Sequence, residues 1–165
     1  MPLVRIDLRK GRPLQELRAI AEAVHAALVE AIGIPRQDRF QIITEHDSLV
    51  FNPSYLGIER TDELVFIQIV ISAGRTVEKR TAIFALIARK LEPLVRPQDL
   101  LINLVETARE NWSFGDGIAQ LRAAGGAAID EDGPPVSPAR SCAVMLLGVV
   151  EDVTQGMGDL GRSLQ

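Results

Sequence analysis

The chain begins Met1-Pro2, and the first candidate for chemistry is the amine of that proline. A small residue after the initiator usually allows the methionine to be removed, so we expect Pro2 to become a free secondary amine at the start of a strand. An α-amino group titrates near pH ~8, and a water-poor pocket lowers its pKa because burial penalises the ammonium form. Such an amine can exchange protons at neutral pH without a histidine. The alternative is a strand-start proline whose missing N–H costs nothing.

Arg75 is the candidate for binding a carboxylate. It ends a Ser72–Arg75 turn (SAGR) between a strand pattern and a helix pattern. A guanidinium binds a carboxylate through two parallel hydrogen bonds, and the following helix start adds free N–H groups. A cation is itself unfavourable at a helix N-terminus, which leaves little structural reason for Arg75 there. The alternative is a solvated surface arginine, as Arg12 would be in the equivalent earlier turn.

These residues are positioned by an internal repeat. A strand pattern runs through a Gly-Arg pair into a helix pattern twice, and an apolar strand follows each helix. Each half, about 2–46 and 63–106, therefore reads as a β-α-β unit with parallel strands. The prediction is an α/β (α+β) fold in which two tandem units form a four-stranded sheet with both helices on one face. The uncovered face of such a sheet needs a partner, which predicts an oligomer.

Local signals mark where the predicted elements begin and end. Apolar residues at spacings of three and four define one helix in each half, and Gly33 ends the first while Thr76 caps the second. Residues 47–62 form the linker between the halves. The domain is predicted to span 2–122, and 123–165 is predicted to be a C-terminal extension, a linker followed by a possible helix, whose role the sequence does not indicate.

Composition excludes several classes of protein. The net charge of −4 over 165 residues gives no reason to expect nucleic acid. A single cysteine, Cys142, excludes an internal disulfide framework and fits a reducing cytoplasm, and neither a signal peptide nor a membrane span is recognisable. The sequence has no metal-ligand spacing and no phosphate-binding glycine loop, so neither metal nor cofactor is expected.

Four segments together resemble the tautomerase superfamily: the Pro2 strand, residues 33–41 (GIPRQDRFQ), the Ser72–Arg75 turn and residues 112–117 (WSFGDG). The most similar branch is the malonate semialdehyde decarboxylase-like enzymes, and the resemblance covers about residues 2–117. It implies two β-α-β units per subunit, a homotrimer, no cofactor, and an N-terminal proline as the catalytic group.

The resemblance also implies roles for individual residues. Pro2 matches the catalytic proline, which acts as base in some branches and as acid in others. Arg75 matches the arginine that binds the substrate carboxylate, and Asp38 matches an aspartate that polarises water or assists the proline. Asp99 occupies the equivalent place in the second half, where no chemistry is expected, so a structural role for Asp38 in its turn is an equal alternative.

Aromatic residues and histidines complete the candidate set. Trp112 and Phe114 are expected to line an apolar wall of the site, although both also suit an interface. His25 is expected on a helix surface. His46, at the end of the second predicted strand, is expected closer to the site but not as its acid.

Three functions remain open. The first is keto–enol tautomerisation of a small oxo or enol carboxylic acid. The second is malonate semialdehyde decarboxylase or hydratase activity, which is weakened because Ala73 stands where the decarboxylases carry a second arginine that would stabilise developing charge. The third is a non-catalytic trimeric binding module. Sequence does not identify the physiological substrate.

Intact mass spectrometry of the expressed protein tests whether Met1 is removed. We expect a mass one methionine lighter than the full chain, because proline at the second position permits trimming. A retained Met1 would block the amine and favour the binding module.

Overall fold

The computed structural model describes residues 1–121, and the predicted strand–helix–strand order is confirmed in both halves. The predicted extension over 123–165 lies outside these residues. The strands and helices in chain order are β1 (Leu3–Arg9), α1 (Leu14–Ile32), β2 (Phe40–His46), β3 (Val65–Ser72), α2 (Val77–Leu91) and β4 (Leu100–Thr107). Short 3₁₀ turns cover Tyr55–Gly57, Pro97–Asp99 and Arg109–Asn111.

The turns between elements follow from local sequence. α1 ends at Gly33 in the left-handed region with φ 69°, and Thr76 caps α2 by accepting a hydrogen bond from the Lys79 N–H. The two strand-to-helix turns pass through glycines with φ 124° at Gly11 and 109° at Gly74, a conformation that other residues rarely adopt. The repeat seen in the sequence is therefore also a repeat of backbone geometry.

The sheet has the order β2-β1-β3-β4. Strands within a half are parallel, whereas β1 and β3 join the halves in antiparallel register, with Leu3 opposite Val70. The starts of β1 and β2 consequently meet the ends of β3 and β4 at one end of the sheet, which we call the Pro2 end. The opposite end collects the ends of β1 and β2 and the starts of β3 and β4.

Both helices cover the same face of the sheet, as predicted. Alternate residues of β1 and β3 point into this layer, and they meet one apolar stripe from each helix. The apolar spacing predicts Leu14 as the first residue of the buried stripe of α1, but 61% of it is exposed. The fully buried larger side chains of this core include Ile6, Leu8, Ile20, Leu28, Ile67, Ile69, Ile83 and Ile87.

The other face of the sheet is uncovered and mixed in polarity. Phe40, Ile42 and Val105 lie on it with exposures of 52%, 44% and 38%. A shallow depression of about 410 Å³ on the same face contains the pair formed by His46 Nε2 and Asp7 Oδ1, 2.7 Å apart. Within the described residues, neither helix combines the length and the apolar character that a membrane span requires.

At the opposite end of the sheet, hydrogen bonds and ion pairs connect the linker to the two halves. Asp99 is fully buried and accepts hydrogen bonds from the Thr61 N–H at 2.6 Å and the Thr61 hydroxyl at 2.8 Å. Arg12 forms ion pairs with Glu16 and with Glu63, the latter at 2.7 Å. Asp99 and Arg12 therefore tie the linker to the sheet and act structurally.

Replacing Asp99 with alanine should lower the free energy of unfolding by about 2–3 kcal/mol, since charged hydrogen bonds are lost and the Thr61 donors are left unpaired. Urea unfolding followed by circular dichroism measures this. The control is Asp62→Ala, because 76% of that side chain is exposed in its pair with Arg9 and surface pairs contribute little. Equal losses in the two variants would contradict a structural role for Asp99.

Candidate active site

The N-terminus and Asp38 meet at the Pro2 end of the sheet. β1 and β2 are parallel with Leu3 opposite Phe40, so the residues that precede the two strands lie side by side. Pro2 is buried, and the amine of Met1 lies 3.7 Å from Asp38 Oδ2. The Asp38 side chain is 13% exposed. The first two predicted catalytic residues are thus neighbours, and a carboxylate faces the position of the terminal amine.

Arg75 reaches the same end through the antiparallel pairing of β1 with β3. Extending the register of Leu3 opposite Val70 places Met1 level with Ser72, the last residue of β3. Arg75 follows three residues later and donates from Nη1 to the Ser72 carbonyl at 2.5 Å. The guanidinium is therefore held against the end of β3, and Arg75 directly precedes Thr76, the N-cap of α2.

The start of α2 itself stabilises negative charge. Hydrogen bonds from its own backbone N–H and from the Thr76 side chain hold the pKa of the Glu78 carboxyl below its ordinary value. Free N–H groups and the helix dipole have this effect on any anion in the first turn. A substrate carboxylate on Arg75 would lie beside this helix start.

Trp112 and Phe114 follow β4 at the Pro2 end. Their rings stack with centroids 5.7 Å apart and an interplanar angle of 18°. The Trp112 Nε1 atom is buried, whereas Phe114 keeps 36% of its surface exposed. The pair forms an apolar surface with one indole N–H donor within it, so the predicted wall also carries a polar group.

Buried polar atoms collect at this end of the sheet. Ser72 Oγ, Glu106 Oε1 and Trp112 Nε1 are each inaccessible, and none makes a hydrogen bond within the part of the chain that the structure describes. A buried polar group without a partner costs about 1–3 kcal/mol, so proteins rarely retain such groups away from functional sites. Ser72 and Glu106 lie at the ends of neighbouring strands but face opposite sides of the sheet, so each of these atoms needs a partner of its own.

Glu106 was not among the residues that the sequence singled out. It lies on β4 opposite Ile71, faces the helices, and accepts through Oε2 a hydrogen bond from Arg80 Nη1 at 2.9 Å. A signal was present, because Leu100, Ile102 and Leu104 share its side of the strand and Glu106 breaks that apolar series. A charged residue on a core-facing position was the feature to notice.

The positions expected for the two histidines were wrong. His46 is at the opposite end of the sheet, because parallel pairing places the ends of β1 and β2 together. His25 is buried rather than on the surface, with Nε2 2.8 Å from the Arg36 carbonyl. Within residues 1–121, no group of three or more potential metal ligands is assembled.

Comparison with known proteins identifies the family of the chain. Two family models, both described as tautomerase enzyme, match residues 2–49 and 38–115. A probable tautomerase of Bacillus subtilis (strain 168), YusQ, is 38% identical over 125 residues that make up 73% of this chain and 98% of that protein. A second protein of the same strain, probable tautomerase YrdN, is also 38% identical, over 73% of this chain and 96% of its own length.

Solved structures show the same fold. FG41 malonate semialdehyde decarboxylase, inhibited by 3-bromopropiolate, superposes with a TM-score of 0.68 at 44% identity, covering 72% of this chain and 93% of that one. Another malonate semialdehyde decarboxylase gives a TM-score of 0.66 at 31% identity, over 72% and 94% of the two chains. With the curated relatives at 38% identity over nearly their whole length, the chain belongs to the tautomerase family of enzymes.

Proposed function

We propose that the protein is a cofactor-free keto–enol tautomerase in which Pro2 transfers a proton on small oxo or enol carboxylic acids. The observation that carries this proposal is the placement of the chain terminus. In the chain that retains Met1, the Met1 amine lies 3.7 Å from Asp38 Oδ2, and Pro2 follows it at the end of the sheet that also holds Arg75. An amine, a carboxylate and a guanidinium there supply a proton carrier, a charge partner and a carboxylate binder.

In this mechanism Arg75 and the start of α2 hold the substrate carboxylate, which fixes the α-carbon relative to Pro2. During conversion of enol to ketone, the enol hydroxyl loses a proton while the carbon of the double bond gains one. Pro2 carries the proton between these positions, so its amine returns to its initial state. The reaction needs no net oxidation, reduction or water.

Asp38 and the aromatic pair adjust the environment of the amine. The Asp38 carboxylate faces the N-terminus and can pair with a positive charge there, and Trp112 and Phe114 are proposed to exclude water from the site. The balance between charge pairing and water exclusion decides whether Pro2 acts mainly as acid or as base. A pH–rate profile on a tautomerase substrate reports that balance.

Malonate semialdehyde decarboxylation is the second candidate function. The 44% identity to a solved decarboxylase favours it, and a further solved relative was crystallised as wild type, as a variant with alanine for its first-position proline, and in an inactivated form. Ala73, in place of a second arginine, removes a charge that would stabilise the enolate. For this reason tautomerisation is the first assignment.

We also propose that the protein assembles as a homotrimer through the open face of the sheet. That face exposes Phe40, Ile42 and Val105, an apolar set that an isolated subunit leaves in water. A fused 4-OT structure described as a symmetric trimer shares the fold with a TM-score of 0.60 at 20% identity. A neighbouring subunit would add further walls to the site.

Chemical acylation of the terminal amine should abolish turnover of phenylenolpyruvate, while Pro2→Ala should retain a reduced rate because a primary amine remains in place. Arg75→Ala should raise KM by about tenfold to a hundredfold, the equivalent of ~1.5–3 kcal/mol of charged hydrogen bonding, with a smaller loss in kcat. Ultraviolet absorbance of the enol measures each rate.

Arg12→Ala is the matched control, because it removes the equivalent arginine of the first half. It should lower stability and leave KM unchanged, since Arg12 is held by Glu16 and Glu63. The proposed roles would be wrong if acylation left the rate intact while Asp38→Asn destroyed it. In that case Asp38 would be the base.

Light scattering coupled to size exclusion should give about three times the 18.0 kDa subunit mass. Ile42→Glu should shift the protein toward smaller species, because a carboxylate on the open face opposes burial in an interface. Thr81→Glu, on an exposed part of α2, is the control and should leave the mass unchanged. A stable wild-type monomer would exclude the trimer.

A further inference from the structure

His25 is a buried polar side chain that the proposed tautomerase mechanism does not use. It lies on α1 with 6% of its surface exposed, and its Nε2 atom is 2.8 Å from the carbonyl oxygen of Arg36. A carbonyl oxygen only accepts hydrogen bonds, so Nε2 carries a proton and donates it to this bond. The imidazole ring therefore ties α1 to the segment that connects it to β2.

The Arg36 carbonyl belongs to the turn that carries Asp38. The Asp38 N–H donates to the Pro35 carbonyl at 2.9 Å and closes a four-residue turn. Arg36 and Gln37 are its central residues. Turns of types I and II share this closing bond and differ by rotation of the central peptide group. The hydrogen bond from the histidine ring fixes the direction of that central peptide group.

The same turn determines where the Asp38 side chain points. The Arg39 N–H donates to the Gln37 carbonyl at 3.0 Å, so the backbone is hydrogen-bonded on both sides of Asp38. Asp38 Oδ2 lies 3.7 Å from the Met1 amine. Misplacing a group in an active site by about 1 Å can cost about a hundredfold in rate. A restraint on the turn therefore acts on the distance between the carboxylate and the N-terminus.

α1 also holds the chain that follows Asp38. Gln41 Nε2 donates to the Ala21 carbonyl at 2.8 Å, and Arg39 Nη1 pairs with Glu22. Both contacts come after Asp38 in the chain, whereas the Arg36 carbonyl comes before it. Loss of the imidazole donor would therefore release the turn while β2 remains attached to α1.

Comparison with the second half shows that this donor is particular to the first. Counting from the two Gly-Arg pairs, Ala88 is the counterpart of His25 on α2, and alanine has no side-chain donor. Asp99, the counterpart of Asp38, accepts two hydrogen bonds from Thr61 on its own carboxylate. The half whose aspartate is bound by Thr61 thus has alanine at this helix position, and the half whose aspartate faces an amine has a donor there.

We propose that His25 is a positioning residue for the reaction. By donating to the Arg36 carbonyl, it holds the Pro35–Asp38 turn in the orientation that directs the Asp38 carboxylate at the N-terminal amine. The proposal rests on the tautomerase function proposed above. Proton transfer stays with Pro2, and His25 acts through Asp38.

The test measures kcat and KM for phenylenolpyruvate. His25→Leu removes the donor and keeps an apolar side chain of similar size, so kcat should fall about tenfold or more while KM stays near the wild-type value, because Arg75 is unchanged. His25→Gln should restore most of kcat, because its amide N–H has nearly the reach of Nε2. Val24→Ala is the matched control: it removes buried atoms from the adjacent residue of α1 without touching the turn, and its kcat should equal that of wild type.

A double-mutant comparison separates positioning from packing. If His25 acts through Asp38, His25→Leu should lower kcat by less than about twofold in an Asp38→Asn background, because the positioned carboxylate is already gone. Losses that multiply would overturn the proposal. So would equal losses of kcat in His25→Leu and Val24→Ala, or a wild-type kcat in Asp38→Asn.

Hydrogen–deuterium exchange covers the case in which His25→Leu does not fold or loses all activity. The amide of His25→Asn is too short to reach the Arg36 carbonyl, whereas that of His25→Gln is long enough. The Asp38 N–H should therefore exchange about tenfold faster in the asparagine variant than in the glutamine variant, as expected for the loss of one hydrogen bond that stabilises the turn. Equal exchange and equal kcat in the two variants would contradict the role of His25.

The outcomes separate the two proposals. If wild-type protein converts neither phenylenolpyruvate nor 2-hydroxymuconate, the proposed tautomerase function fails, and the positioning role fails with it. If wild-type protein converts phenylenolpyruvate but His25→Leu and His25→Asn keep the wild-type kcat, the role of His25 fails and the tautomerase stands.

Discussion

The antiparallel pairing of β1 with β3 is the contact on which the site depends. Parallel pairing within each half places strand starts beside strand starts, so neither half alone brings an N-terminus to a strand-to-helix turn. The junction between the halves reverses this and sets Met1 level with Ser72. A slip of one residue would turn Val4, Ile6 and Leu8 out of the core, so apolar burial holds the register and with it the relation of Pro2 to Arg75.

The two halves share one backbone geometry, but the corresponding aspartates, Asp38 and Asp99, have different partners. At the opposite end of the sheet, the linker passes through the place that the N-terminus takes in the first half, and Thr61 satisfies Asp99 there. At the Pro2 end the chain begins, and Asp38 faces an amine. The same backbone arrangement therefore holds the linker in place through Asp99 in the second half. In the first half it positions the N-terminal amine, the candidate reactive group, beside Asp38.

The polar atoms at the Pro2 end also distinguish it from the core. Ser72 Oγ at the end of β3, Glu106 Oε1 near the end of β4 and Trp112 Nε1 beyond β4 are each buried without a hydrogen-bond partner in the described residues. Such groups lower stability unless a ligand or another group engages them. Buried polar groups without hydrogen-bond partners are more typical of a binding site than of a packed core.

The sequence by itself determined the local elements and much of the site. Apolar periodicity, Gly33, Thr76 and the Gly-Arg turns depend on neighbours a few residues away, and they predicted the two β-α-β units. Grouping Pro2, Asp38 and Arg75 at one end required the family resemblance as well.

Tertiary structure alone decided which end of the sheet each side chain occupies. His46 ends β2 as expected, yet parallel pairing sets it beside Arg9, away from Pro2. The sequence shows that Glu106 interrupts an apolar series, but only the strand register placed it in the row of Pro2, and only the packing of α2 paired it with Arg80. Strand order and direction join residues far apart in the chain, and no local pattern encodes that pairing.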